Sequence, residues 1–197
     1  MKLRHIVAFA IWVVLTTPVA AQNLAAGRDA YEAGAYATAL KNLQPLAEQG
    51  DALAQAALGV MYKTGRGVPQ DYAEAVRWYQ LAADQGHAEA QYSLGLIYED
   101  GRGVPQDFAE SMRWYRLAAE QGHAYAPSML GFMYGAGRGV PQNFIMAHMW
   151  YNLAAAGGFS PAIMDRDAYA REMTTADISE AQRRAGVCLK SGYSDCE

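Results

Sequence analysis

Cysteine is scarce: the 197-residue chain has two, both within its last ten residues. That is too few for a disulfide-framed mini-fold, and no Cys-x-x-Cys spacing or Cys/His cluster suggests a zinc site or a redox pair. Charge is thin as well, with 18% Asp, Glu, Lys and Arg and a formal net charge of -4. A broad basic surface for nucleic acid is therefore excluded. Only one long apolar run exists, Ile6 to Leu15. It is shorter than the ~20 residues a membrane-spanning helix needs. Nor is the chain short of core-forming residues: 52% are hydrophobic, with four Trp and thirteen Tyr, which excludes intrinsic disorder.

The single apolar run has a specific context. Lys2 and Arg4 precede it, and Pro18-Val19-Ala20-Ala21 follows, with small residues at the −3 and −1 positions of a cleavage site. This is the pattern of a secretory signal peptide over residues 1–21, cleaved between Ala21 and Gln22. The alternative is an uncleaved anchor. No cysteine lies at the junction, so a lipid anchor is not expected. The expected location is periplasmic or secreted, in a Gram-negative bacterium, with no stable membrane insertion once the peptide is removed.

The rest of the chain repeats itself every 36 residues. Arg66-Gly67-Val68-Pro69-Gln70 recurs at Arg102 and at Arg138, and Trp78-Tyr79 recurs at Trp114-Tyr115 and Trp150-Tyr151. Gly59, Gly95 and Gly131 keep the same step, as do Gln85-Gly86-His87 and Gln121-Gly122-His123. Several positions held over three copies at one period indicate a stacked repeat array. Each unit reads as two helices. Asp71 is placed to cap the first, with Glu74 three residues on as a capping-box partner. Tyr72, Ala75, Val76, Tyr79, Ala82 and Ala83 follow helical spacing. Gly86 supplies a left-handed stop, and His87 starts a second helix that ends at Gly101. Gly95 costs ~1 kcal/mol inside that helix relative to Ala. Its recurrence predicts close approach of a neighbouring helix, with the Ala82-Ala83 and Ala118-Ala119 pairs as the facing side.

These residues resemble the Sel1-like repeats, relatives of the tetratricopeptide repeat. The family pattern stands here as Trp78-Tyr79, Ala82-Ala83, Gly86, Ala90, Leu94-Gly95, Tyr98, Gly101 and Gly103-Val104. The resemblance implies an all-α, right-handed superhelical solenoid of helix-turn-helix units. The expected array covers 22–160 in about four repeats: 30–65, 66–101, 102–137 and 138–160. Residues 161–197 are expected to form a helical cap resembling the tail of exported family members. Two helices are expected there, 165–172 and 177–187, with Thr175 capping the second. In an oxidising compartment Cys188 and Cys196 are expected to pair as a structural staple.

The chemistry-bearing residues are few. His87 and His123 share a repeat position after a helix stop, so their expected role is at the start of the second helix. His148 stands alone. None has a nucleophile or carboxylate at a catalytic spacing. The Gly-x-Gly turns lack the third Gly and the Lys-Ser/Thr of phosphate loops. Their arginines, Arg66, Arg102 and Arg138, read as a solvated basic edge or as partners of carboxylates within the array. No metal, cofactor or catalytic residue is expected.

Positions that vary between copies are free of the fold's demands. On the first helices these are Glu74/Glu110/Met146, Arg77/Arg113/Met149 and Gln80/Arg116/Asn152. In related solenoids the first helices line the concave face, so this stripe is the expected partner-binding surface. Met146 and Met149 would be a local apolar contact on it, and an ordinary solvated helix face is the competing reading. The resemblance implies a non-catalytic scaffold, monomeric, holding a protein or peptide. The alternatives are a β-lactam or cell-wall hydrolase, as assigned to cysteine-rich relatives, and a peptidoglycan-binding module. No cysteine precedes Cys188, which weakens the hydrolase reading.

Overall fold

The computed structural model describes residues 17–196, with side chains from 21 onward. Lys2, Arg4 and the apolar run of the expected signal peptide lie outside the described residues. Among the described residues there are ten helices and no strand: α1 (Thr17–Glu32), α2 (Tyr36–Glu48), α3 (Ala52–Thr64), α4 (Tyr72–Ala83), α5 (Ala88–Asp100), α6 (Phe108–Glu120), α7 (Ala126–Ala136), α8 (Phe144–Ala156), α9 (Ala162–Ala170) and α10 (Thr175–Lys190). Each packs on its chain neighbour from α1 to α9, while α10 turns back onto α8. The result is an all-α solenoid. Its apolar interior is divided into three clusters along the stack, as nearest-neighbour packing requires.

The 36-residue period has a physical reason at each held position. Asp71, Asp107 and Asn143 cap α4, α6 and α8. Asp71 Oδ1 accepts from the Ala73 and Glu74 amides at 2.9 and 3.0 Å, and Asn143 Oδ1 accepts from the Met146 amide at 3.0 Å. Glu74 does not complete a capping box; its carboxylate is taken by Arg77 at 2.8 and 3.1 Å instead. The loop glutamines tie the units together. Gln70, Gln106 and Gln142 donate their amides to the carbonyls of Lys63, Glu99 and Gly135 at 2.8, 2.7 and 2.7 Å. Gly86 sits at φ +82°, the left-handed stop expected from the sequence, and Gly101, where the second helix ends, sits at φ +68°.

Gly59, Gly95 and Gly131 mark close approach, but the facing group is the tyrosine of the Trp-Tyr pair in the next helix, not the Ala-Ala pair. A Cβ on Gly59 would lie 2.6 Å from the Tyr79 ring, and one on Gly131 would lie 2.9 Å from the Tyr151 ring. Gly95 meets the Tyr115 ring more tightly still. The ring replaces a side chain that glycine lacks, so the two held features are one contact.

Both ends differ from the expected pattern. α1 is a helix the repeat spacing did not announce. It packs on α2 with Gly27 against Leu43, the same arrangement as Gly59 against Tyr79. It also runs through the expected cleavage point at 21 and 22. Pro45 lies inside α2. Pro127 lies in the first turn of α7, which starts at Ala126, where its missing N–H is harmless. At the other end Thr174, one residue before the expected Thr175, caps α10 in a full capping box with Asp177.

Candidate functional site

The varying stripe lies on one face of the first helices. In α4 and α6 it is polar and self-satisfied. Arg77 pairs with Glu74, and Arg113 Nε donates to Glu110 at 2.9 Å. Both pairs sit three residues apart on one helix, and both arginines are exposed. The Arg113 guanidinium also lies 4.2 Å from the Trp114 ring centre. Its hydrogen bond holds the Glu110 carboxylate below the usual range. Gln80 donates to Asp84 at 2.9 Å, and Arg116 donates to the Tyr134 hydroxyl at 2.7 Å. A cleft of about 320 Å³ opens along α6 between Met112, Arg113, Arg116, Leu117 and Glu120 and the loop residues Gly139 and Val140.

On α8 the stripe has a different fate, and the expected apolar surface spot is corrected. Met146 is 5% exposed and Met149 0%. Both belong to a cluster with Ala181, Ala185 and Cys188, the inward residues of α10. Arg184 on α10 reaches the Met146 sulfur at 3.7 Å. The methionines are core residues because the chain's own last helix lies across them. Thioethers suit that interface, since they are apolar and adapt to the small side chains opposite. Asn152 stays half-buried, and its side-chain oxygen faces Arg166 of α9 at 3.4 Å. The structure thus keeps Glu74, Arg77, Gln80, Glu110, Arg113 and Arg116 accessible in whole or part, and removes Met146 and Met149 from the surface.

The histidines play three different parts. His87 Nδ1 accepts from the Ala90 amide at 3.2 Å and so caps α5. His123 stacks on Tyr92 at 4.3 Å and contacts Glu89 at 3.1 Å. His148 is buried, and desolvation, followed by the nearby Arg166, lowers its pKa. Among the described residues no group of three His, Cys, Asp or Glu is arranged to hold a metal ion.

Cys188 and Cys196 lie at disulfide distance, Cα atoms 4.6 Å apart. The loop between them sets Tyr193 against Trp150, rings nearly parallel at 6.3 Å. A smaller cleft of about 120 Å³ forms where this loop meets Arg116 and Glu120 of α6.

Sequence reasoning missed a buried polar network. Glu99, 8% exposed, accepts from the Tyr115 hydroxyl at 2.8 Å and from Arg138 at 3.1 Å. Glu99 is not a held position: Lys63 and Gly135 occupy it in the flanking copies. The loop arginines also form no simple basic edge. Arg66 donates to the Tyr31 hydroxyl at 3.2 Å, Arg102 to the Tyr72 hydroxyl at 3.1 Å, and Arg138 lies over Phe132 at 4.8 Å.

The comparisons with known proteins agree with this architecture. The Sel1 repeat profile matches residues 52–87, 88–123 and 124–159. A Sel1 repeat protein of Oxalobacter formigenes is similar in structure, with a TM-score of 0.69 and 37% identity over 75% of this chain and 59% of that one. So is a protective antigen of uropathogenic Escherichia coli with an SLR fold, with a TM-score of 0.67 and 42% identity over 71% of this chain and 31% of that one. The chain therefore spans 59% and 31% of the length of these two relatives. No functionally curated protein matches it. Sel1 repeat proteins commonly serve as scaffolds for protein–protein contacts, and three matched repeats over more than half of its length place this chain in the Sel1 repeat family.

Proposed function

We propose that this protein is an exported, non-catalytic scaffold that holds a protein partner on the first-helix face of α4 and α6. The observation that carries the reading is α10. The chain already docks one helix on this face, laying Ala181, Ala185 and Cys188 over Met146 and Met149 of α8. The corresponding faces of α4 and α6 have the same backbone frame but carry Glu74, Arg77, Glu110 and Arg113, and no helix of the described chain covers them. Exposed Leu81 and the cleft beside Met112 and Leu117 supply apolar contacts, and Gln80 and Arg116 supply hydrogen-bonding groups around them. Asn152 marks the boundary with the occupied α8 end. The protein acts as a monomer in the periplasm, where the pairing of Cys188 with Cys196 fastens the end of α10.

Site-specific photo-crosslinking in cells tests the reading. A photoreactive residue at Gln80 or Arg113 is expected to give one and the same adduct, while one at exposed Leu53 on α3, a second helix, gives none. The double variant R77E/R113E is expected to abolish that adduct without changing the helical signal. Adducts of equal yield from all positions, or none from the face, would overturn it.

A further inference from the structure

A cleft of about 460 Å³ lies away from the first-helix face, between two loop turns, and Lys63, Arg66, Arg102, Tyr72 and Ser93 line it. Asp100 is the only carboxylate in its wall, and it pairs with Arg102 Nε at 3.1 Å, both side chains about half exposed. Three cations against one carboxylate give the cleft a positive balance in a chain whose net charge is -4.

The next repeat shows what this geometry accommodates. Thirty-six residues on, the counterpart of Lys63 is Glu99, that of Tyr79 is Tyr115 and that of Arg102 is Arg138. There the Glu99 carboxylate bridges the Tyr115 hydroxyl and the Arg138 guanidinium at 2.8 and 3.1 Å. Phe132 and Met129 stand where this cleft has Leu96 and Ser93, so that copy is also filled by larger side chains. In the open copy the bridging carboxylate is absent from the sequence. Lys63 takes its place, its Nζ 5.6 Å from the Tyr79 ring centre. The Tyr79 hydroxyl is buried, and Ser93 of the cleft wall is the polar side chain beside it. Two guanidinium groups beside an ammonium group are the donors that carboxylates select.

We propose that this cleft is a binding site for a carboxylate-bearing ligand, whose carboxylate takes the role between Arg102 and Lys63 that Glu99 plays between Arg138 and Tyr115. The volume suits a ligand of a few residues or a small organic acid. The site lies on the loop edge and is independent of the scaffold reading.

The test is a titration of the full mature chain, followed by amide chemical shifts, with three probes: tri-alanine bearing a free C-terminus, the same peptide amidated, and acetate. The free-acid peptide is expected to shift the amides around Lys63, Ser93 and Arg102, and the amidated peptide is not. Acetate competing as well as the peptide would identify a small acid as the ligand. Weaker competition by acetate would identify a peptide terminus. The decisive variant is K63E, which rebuilds the neighbouring copy by placing an internal carboxylate beside Arg102. It is expected to cost binding at least about tenfold while the melting temperature holds or rises. R102Q is expected to cost a similar factor. Equal binding of acid and amide, binding unaffected by K63E, or no shift with any probe at millimolar concentration would each overturn the proposal.

Discussion

Substituting Gly95 by alanine sets two effects of known sign against each other. In an isolated helix the change stabilises by about 1 kcal/mol, because glycine loses more backbone entropy on folding. In this helix the new methyl group would stand 2.5 Å from Tyr115 Cδ1 and 3.0 Å from Cζ. The ring has nowhere to go: Tyr115 is 0% exposed, and its hydroxyl is fixed to buried Glu99 at 2.8 Å. Overpacking of this kind costs about 1–3 kcal/mol. Displacing a hydrogen bond to a buried carboxylate adds about 1–3 kcal/mol. The contact dominates, and G95A is expected to be less stable by about 2 kcal/mol, a fall of about 4–8 °C in Tm for a chain of this size. Gly186 is the control. It lies in α10 with no atom within 4 Å of a built Cβ, so only the propensity gain remains. G186A is expected to raise Tm by about 2–4 °C. Thermal melts followed by circular dichroism read both. If G95A melts at or above the parent temperature, glycine is not held by the tyrosine ring, and the account of the 36-residue period fails.

Three further expectations concern single groups. Y115F leaves one oxygen of buried Glu99 without its donor and is expected to cost about 1–3 kcal/mol in urea unfolding, with Arg138 still in place. His148 has a folded pKa below its ordinary 6.5, desolvation being the main cause, so the unfolded chain binds the proton more readily. Stability is therefore expected to fall as pH drops through about 6.5 towards the lower folded value, and H148Q should flatten that part of the profile. Removing the Cys188–Cys196 link by C188S/C196S opens a loop of sequence separation 8. Chain-entropy reasoning gives a loss of about 2.5 kcal/mol, read by the same melts with and without reductant in the parent.

The repeat was legible because its held residues each serve a local contact. Asp71 caps, Gln70 ties a loop to a carbonyl, and Gly101 takes a positive φ. Such roles depend on neighbours a few residues away or one unit on, so a period in the sequence becomes a period in space. The partner of Gly95 differs from the expected one because two solutions fit one spacing, glycine against small alanines and glycine against a large ring. Ala118 and Ala119 are buried on the same helix as Tyr115, and only packing decides which of them faces the glycine. α1 was missed because its loop to α2, Ala33 to Ala35, lacks the Arg-Gly-Val-Pro-Gln signature.

The candidate site teaches a different lesson, about positions that vary between copies. A change from Glu and Arg to Met146 and Met149 was read as a change in what a partner would meet. It is a change in what the chain itself brings: α10, more than thirty residues later, covers those two side chains. An apolar replacement on a polar stripe is first a sign of burial, since exposed methionine pairs are disfavoured on a soluble surface. The Lys63/Glu99 pair is the converse. Glu99 is matched from within, by Tyr115 and Arg138, so nothing external is required of it. Lys63 stands at the same register beside Arg102, and no carboxylate bridges the two: the half-exposed Asp100 pairs with Arg102, and Glu89, which acts on Lys63 through space, is hydrogen-bonded to His123. The two variations therefore separate on one physical criterion, whether the chain provides the complementary group. Where it does, as at Met146 and Glu99, the varied residue is part of the fold. Where it does not, as at Lys63, the missing complement defines the chemistry of the ligand.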